Sequence, residues 1–432
     1  MAKPDTQVKW YSSGMFGAPS VTNAYGNLTG LLDAVLANGF AVKPVDNLTF
    51  KPATTGGGGT VTCHISTGHK YNVDQVVSIA GATQADYNGE FRVKTVSTDS
   101  FTYDIDTIPQ FAAATTVSSL SAKVAPLGFE IAFSRTNKRA YRSLHPESLG
   151  NMLVVDDGIK DTDYGADWAK WANVAIAESM TDIDTIVGAQ APFDPNVPLQ
   201  NWKSQQQWHH GWHKWYFART GGHDTSGDSG GGNRNWVVVG DGRMFYLFIT
   251  GAAGYGWYGR DCYCFGDIIS FKPGDQYSTV LHAEDHYWTH TQQHSSYPGQ
   301  FGGYGGITST LDNTGNVLLR NHTQLGNYCR WSCTSLNTNN SSQQNGRGGI
   351  PFPNGPDYSL WLMPVYCRQE DSHMRGMMPG MRWLPQWTGY SDLTVIDNVA
   401  GQEGRKFLFV RSQYSNESEG CTTPFDVTGP WR

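Results

Sequence analysis

At 432 residues and a formal net charge of −7, the chain is long enough for two or three domains with sizeable cores. Aromatic residues make up 13% and charged residues 16%, with 50 glycines, which excludes a disordered chain and points to an all-β protein with long packed loops. The acidic balance and the lack of a Lys/Arg cluster argue against nucleic-acid binding, and no stretch approaches the roughly 20 apolar residues of a membrane helix.

Met1 to Asp5 has no apolar run and reads as neither signal peptide nor anchor, so synthesis in the cytoplasm and no membrane insertion are expected. The first predicted element is a short N-terminal helix over 27–38. Leu28, Leu31, Leu32, Val35 and Leu36 fall on one face at helical spacing, and Gly39 stands where a C-cap belongs. Phe40 to Val45 reads as a strand. Gly56 to Gly59 then opens four short β-prone runs between Thr60 and Tyr103, split by Gly, Asn and Asp turns. Phe91, Val93 and Thr95 alternate, as do Phe101, Tyr103 and Ile105, while Asn88-Gly89 supplies the positive φ of a tight hairpin. Small, polar residues from Ala112 to Ala122 close the segment. A small β-barrel over 59–123 is predicted, inserted in a surface loop of a larger fold. Residues 1–58 begin that main domain and 124–432 complete it.

Strands are predicted around Phe129, Ile131 and Phe133, around Met152, Val154 and Val155, and from Asn173 to Asp184. The strongest hairpin signal pairs Trp236–Val239 with Met244–Ile249 across the polar turn Gly240-Asp241-Gly242-Arg243. Tyr263 to Ile269, Leu360 to Val365 and Lys406 to Val410 follow. The resulting fold class is mostly β, a sandwich- or barrel-like main domain with long Gly- and aromatic-rich loops. Two stretches, near 205–235 and 285–349, show little pattern and read as long loop insertions of the kind that carry function or contacts. Seven cysteines form no C-x-x-C pair, and the odd count leaves at least one unpaired within the chain.

Gly227-Asp228-Ser229-Gly230-Gly231 matches the nucleophile motif of trypsin-like proteases, yet no Ala-Ala-His-Cys segment lies upstream to supply the base. His209, His210, His213 and His223 stand among Trp208, Trp212 and Trp215, which reads more simply as an aromatic packing surface than as a metal site. His282, Asp285, His286 and His290, with Glu284 alongside, have a spacing compatible with a metal site but match no established motif, and read more simply as a polar loop at an interface. Asp156-Asp157 places adjacent carboxyls on opposite faces of a strand, or in a turn with Gly158, unlike a glycosidase pair. No catalytic residue, metal or cofactor is implied. Trp257, Tyr258, Tyr287, Trp288, Tyr297 and Tyr304 are the candidate contact residues. They sit among Gly and polar residues, where Tyr and Trp anchor protein interfaces or stack on sugars.

The barrel segment, with its order of Gly68-His69, a Val-rich strand, Tyr87-Asn88-Gly89 and Phe101-Thr102-Tyr103, resembles a little β-barrel that recurs in structural proteins of tailed bacteriophages. Outside it, five pieces look like a family of proteins encoded in tailed-phage genomes. They are Ser12-Ser13-Gly14-Met15, Ala132-Phe133-Ser134 with Ala140-Tyr141-Arg142-Ser143, Glu178 to Asp184, Gly240 to Leu247, and Asp426 to Trp431. These motifs carry no established chemistry. The resemblance implies a non-enzymatic structural component of the virion, in the tail or baseplate, that meets other virion proteins and symmetry mates of a homo-oligomer through its loops. The alternative it leaves open is a receptor-binding protein at the tail tip that takes a host surface glycan.

Overall fold

The computed structural model describes residues 4–115, 119–158, 167–199, 201, 210–220, 227–254, 260–284, 315–334, 359–384, 386, 388–412 and 421–432. Strand accounts for 48% of the described residues and helix for 5%. Among the described residues the largest sheet has thirteen strands and is antiparallel throughout. Its order runs Lys9–Ser12, Trp236–Gly240, Met244–Thr250, Arg260–Asp267, Thr279–His282, Val317–Leu319, Tyr328–Thr334, Met363–Gln369, Met374–Trp383, Cys421–Asp426, Lys406–Ser412 and Thr394–Asp397, with Ile269–Ser270 branching from Met374–Trp383.

The expected hairpin sits near the start of this sheet, with Trp236 opposite Ile249 and Gly240 opposite Phe245. Asp241 closes its turn by accepting from the N–H groups of Arg243 and Met244, each at 2.8 Å. Successive side chains of Met244–Thr250 enter two different cores. Phe245, Leu247 and Ile249 face a six-stranded sheet built on Phe129–Arg135, Lys138–Ser143, Met152–Asp156, Lys170–Asp182, Thr185–Ala191 and His213–Ala218. Met244, Tyr246 and Phe248 face Met378, Met381, Leu408, Val410 and Phe425, because the far half of the large sheet folds back over its own near half. Strands buried on both faces read as unbroken apolar runs rather than alternation. That explains two corrections to the sequence reading. The stretch near 205–235 contains the strand His213–Ala218, and that near 285–349 contains Val317–Leu319 and Tyr328–Thr334, every described side chain of which is buried apart from Tyr328 and Arg330.

The helix forms where its leucine stripe predicts. It runs as α-helix over Asn27–Leu32 and as π-helix over Asp33–Asn38, ending on Gly39 at φ +73°. Leu28, Leu31, Leu32, Val35 and Leu36 are all fully buried. Its first turn lacks a local cap. Instead Asp157 reaches in from the end of Met152–Asp156 and accepts from the N–H of Leu28 at 2.9 Å, placing a negative charge at the positive end of the helix.

The segment expected to be a small barrel forms two four-stranded antiparallel sheets, and no closed barrel is formed among the described residues. One orders Phe40–Pro44, Ser121–Val124, Val76–Ala80 and Gly89–Arg92; the other orders Asn47–Pro52, Gly59–His64, Ser100–Ile105 and Thr95–Val96. Both sheets draw strands from upstream of residue 59: Phe40–Pro44 pairs with Ser121–Val124, and Asn47–Pro52 pairs along its whole length with Gly59–His64. His69 of the Gly-His motif is buried between Tyr71 and Phe101. Its Nδ1 accepts the Tyr71 N–H and its Nε2 donates to the Ser100 carbonyl, both at 3.0 Å, which fixes the tautomer. Arg92 fastens the module to the segment leading into the first strand of the large sheet through the carbonyls of Asp5 and Val8, and Lys9 at the start of that strand pairs with Glu90 at 2.9 Å.

At the opposite end of the chain, Gly380 takes a φ of +68°, and a Cβ there would overlap the indole of Trp431. That indole donates to the Asp426 carbonyl at 2.7 Å. Gly380→Ala is expected to displace Trp431 and cost about 1–3 kcal/mol, as overpacked sites do. A lowered urea midpoint with unchanged circular dichroism is the expected result, and an unchanged midpoint refutes the packing argument.

Candidate functional site

The six aromatic candidates Trp257, Tyr258, Tyr287, Trp288, Tyr297 and Tyr304 lie outside the described residues, but the stems that carry them are defined. Thr250 and Arg260, directly paired, bracket the segment holding Trp257 and Tyr258. Glu284 and Gly315 bracket the segment holding the other four, and the Gly315 N–H donates to the Ala283 carbonyl at 3.1 Å. Thr220 and Gly227 bracket a third segment, closed by the Thr220 N–H on the Gly227 carbonyl at 3.0 Å. The stems are neighbours. Arg219 N–H donates to the Gly251 carbonyl at 2.8 Å, and Lys214 and Glu284 exchange backbone hydrogen bonds at 3.0 and 2.9 Å.

A buried ionic cluster joins these stems from beneath. The Arg219 guanidinium meets Asp261 at 2.7 Å and Glu284 at 2.5 Å, with its side chain only 3% exposed. Each residue comes from a different stem. Burial pushes the Asp261 carboxyl upward, opposed by the Arg219 charge at its side. Burial works to lower the Arg219 guanidinium, but the two carboxylates and the nearby Tyr263 hold it above its ordinary value. Tyr216 stacks beneath the guanidinium at 4.6 Å, and the Tyr263 hydroxyl accepts the Tyr216 N–H at 2.8 Å. Beside them Lys214, also buried, places its ammonium 4.4 Å from the Trp171 ring and 5.7 Å from that of Tyr216. Desolvated cation–π contacts of this kind reach about 2 kcal/mol. The Trp215 ring stacks on Tyr263 at 5.4 Å and its N–H donates to the His282 carbonyl at 2.9 Å. Rigid stems under three segments are what this arrangement supplies.

No family model and no curated protein matches the sequence.

The protease-like motif has a structural occupation in this fold. Ser229 donates to the Gly251 carbonyl at 2.6 Å and accepts from Arg234 at 2.9 Å, so its hydroxyl clamps the Thr250–Gly251 stem. Asp228 binds Asn23 at 2.8 Å and lies 3.5 Å from Lys170. The histidine runs are dispersed. His210 pairs with Asp194 at 3.0 Å and His213 is buried in its strand, while His209 and His223 lie outside the described residues. His282 is buried against Asn316 and Glu284 binds Arg219, whereas Asp285, His286 and His290 lie outside the described residues. Asp156 accepts the Gly158 N–H at 3.0 Å, the turn expected there, and Asp157 caps the helix. Sequence reasoning missed Arg219, Asp261 and Lys214. The available signal was four charged residues, Lys214, Arg260 and Asp261 within apolar, aromatic strands and Arg219 just after one.

Proposed function

We propose that the protein is a structural component of a tailed-bacteriophage virion, in the tail or its baseplate, and that its aromatic loops bind symmetry mates. The observation that carries this reading is the convergence of three loop stems on one buried ionic cluster at one end of a large β scaffold. Repeated contacts in a symmetric particle require loops presented in the same geometry in every copy. Stems ordered before assembly lower the entropy lost when the contact forms. The resemblance of the chain's motifs to tailed-phage proteins supplies the setting.

Truncating Trp257 or Trp288 to Ala tests it. Loss of an interface anchor costs roughly 2 kcal/mol or more at a hot spot. The expected result is missing or fragile particles whatever the host strain. Normal yields of particles that adsorb poorly would favour the receptor- or glycan-binding reading, and normal particles that adsorb normally would overturn both.

A further inference from the structure

Away from the loop-bearing end, two turns of the large sheet bring three metal-binding side chains together. His322 lies in the turn between Val317–Leu319 and Tyr328–Thr334. Asp371 and His373 lie in the hairpin turn between Met363–Gln369 and Met374–Trp383. One ligand atom of each lies within 4.8 Å of the other two. The His373 Nδ1 is 2.8 Å from the Asp371 Oδ1 and the His322 Nδ1 3.6 Å from its Oδ2, and the two imidazoles stack at 4.2 Å and 22°. Their side chains are 37%, 44% and 57% exposed for His322, Asp371 and His373, so an ion and its waters can reach them.

We propose that His322, Asp371 and His373 form a binding site for a divalent transition-metal ion of the zinc class. Two imidazoles and one carboxylate suit zinc, cobalt or nickel, whereas calcium and magnesium select all-oxygen sets. Positions left open by the three side chains take water.

The groups behind the ligands hold them in place. Gln369, buried at 1% exposure, accepts from the His322 backbone N–H at 3.1 Å, and its amide nitrogen donates to Asp371 at 2.6 Å. The same nitrogen lies 2.9 Å from the His322 Nδ1, and a metal ion bound at that atom takes the place of this contact. Arg375 fixes Gln369 in turn, donating to its Oε1 at 3.0 Å while pairing with buried Asp275 at 2.9 Å. The Arg375 charge is thereby paired with a carboxylate. Asn321 orders the other turn by accepting from the Thr323 N–H at 2.9 Å. Outer partners that orient ligating groups in this way govern metal affinity.

The test is calorimetric titration of the full chain with zinc chloride after treatment with EDTA, for the wild type and for His322→Ala/His373→Ala. The expected result is one more equivalent bound by the wild type than by the double variant. Saturating zinc should also raise the unfolding midpoint of the wild type more than that of the variant, since an ion that binds only the folded chain stabilises it. Equal stoichiometry in the two proteins overturns the proposal, and an equivalent taken up equally well from calcium chloride overturns the metal class. Should the alanine variant lose its circular dichroism in EDTA, His322→Gln/His373→Gln carries the comparison on the same criteria.

Discussion

Arg219→Met is expected to cost about 3–5 kcal/mol of folding stability, the usual penalty for removing one partner of a buried ion pair. The guanidinium lies between Asp261, which is buried, and Glu284, whose side chain is 11% exposed. Without it, two acids face each other in a low-dielectric site, and one must take up a proton or open the stem to water. Methionine fills part of the vacated volume, so the loss reports charge more than cavity. Chemical denaturation at pH 7 gives the measurement, with Arg219→Met/Asp261→Asn/Glu284→Gln as control. Removing all three charges should recover much of the loss. A single-variant cost below about 1 kcal/mol would show that the cluster is solvated and does not lock the stems.

Acidification should weaken the protein through His282. Burial lowers the pKa of this imidazole from 6.5 to about 4, while its hydrogen bond with Asn316 pulls the other way. The unfolded chain therefore binds a proton near pH 6.5 that the folded chain refuses until about pH 4. This contribution is fully present above pH 6.5, is lost as pH falls from 6.5 to 4, and changes no further below. At 1.36 kcal/mol per unit the whole loss is roughly 3 kcal/mol. The raised Asp261 carboxyl acts in the opposite sense in both proteins, so the reading is the difference: from pH 8 to 6 to 5 the urea midpoint of the wild type should drop relative to that of His282→Gln. Parallel curves for the two proteins would assign the pH response to other groups.

Local patterns made the helix and the central hairpin legible. The leucine stripe from Leu28 to Leu36 has one periodic face, and the two halves of Trp236–Ile249 flank a polar turn. His213–Ala218 and Val317–Leu319 escaped notice because strands buried on both faces lose the period that marks a half-buried strand. The switch from α- to π-helix at Asp33 carries no composition signal. The strand that Phe40–Pro44 adds to the small module was hidden because it finds its partner in Ser121–Val124, far along the chain. The ionic cluster was illegible for the same reason. Arg219, Asp261 and Glu284 are ordinary charges in sequence and meet only when three stems are brought side by side. His322 and the Asp371–His373 pair likewise stand on separate turns.

The far core of the large sheet carries Cys262, Cys264, Cys329, Cys333 and Cys367, all buried and unbridged. Burial raises each of these thiols, so the reactive thiolate is scarce in the native protein. The fold thus holds its own set of silent labels. An alkylating reagent added to the native chain can mark these five positions only while the sheet is open, and the rate of marking then counts openings of that core. Peptide mapping of the marks would separate the strand Arg260–Asp267 from Met363–Gln369 and show whether the two halves of the folded-back sheet part together or one before the other.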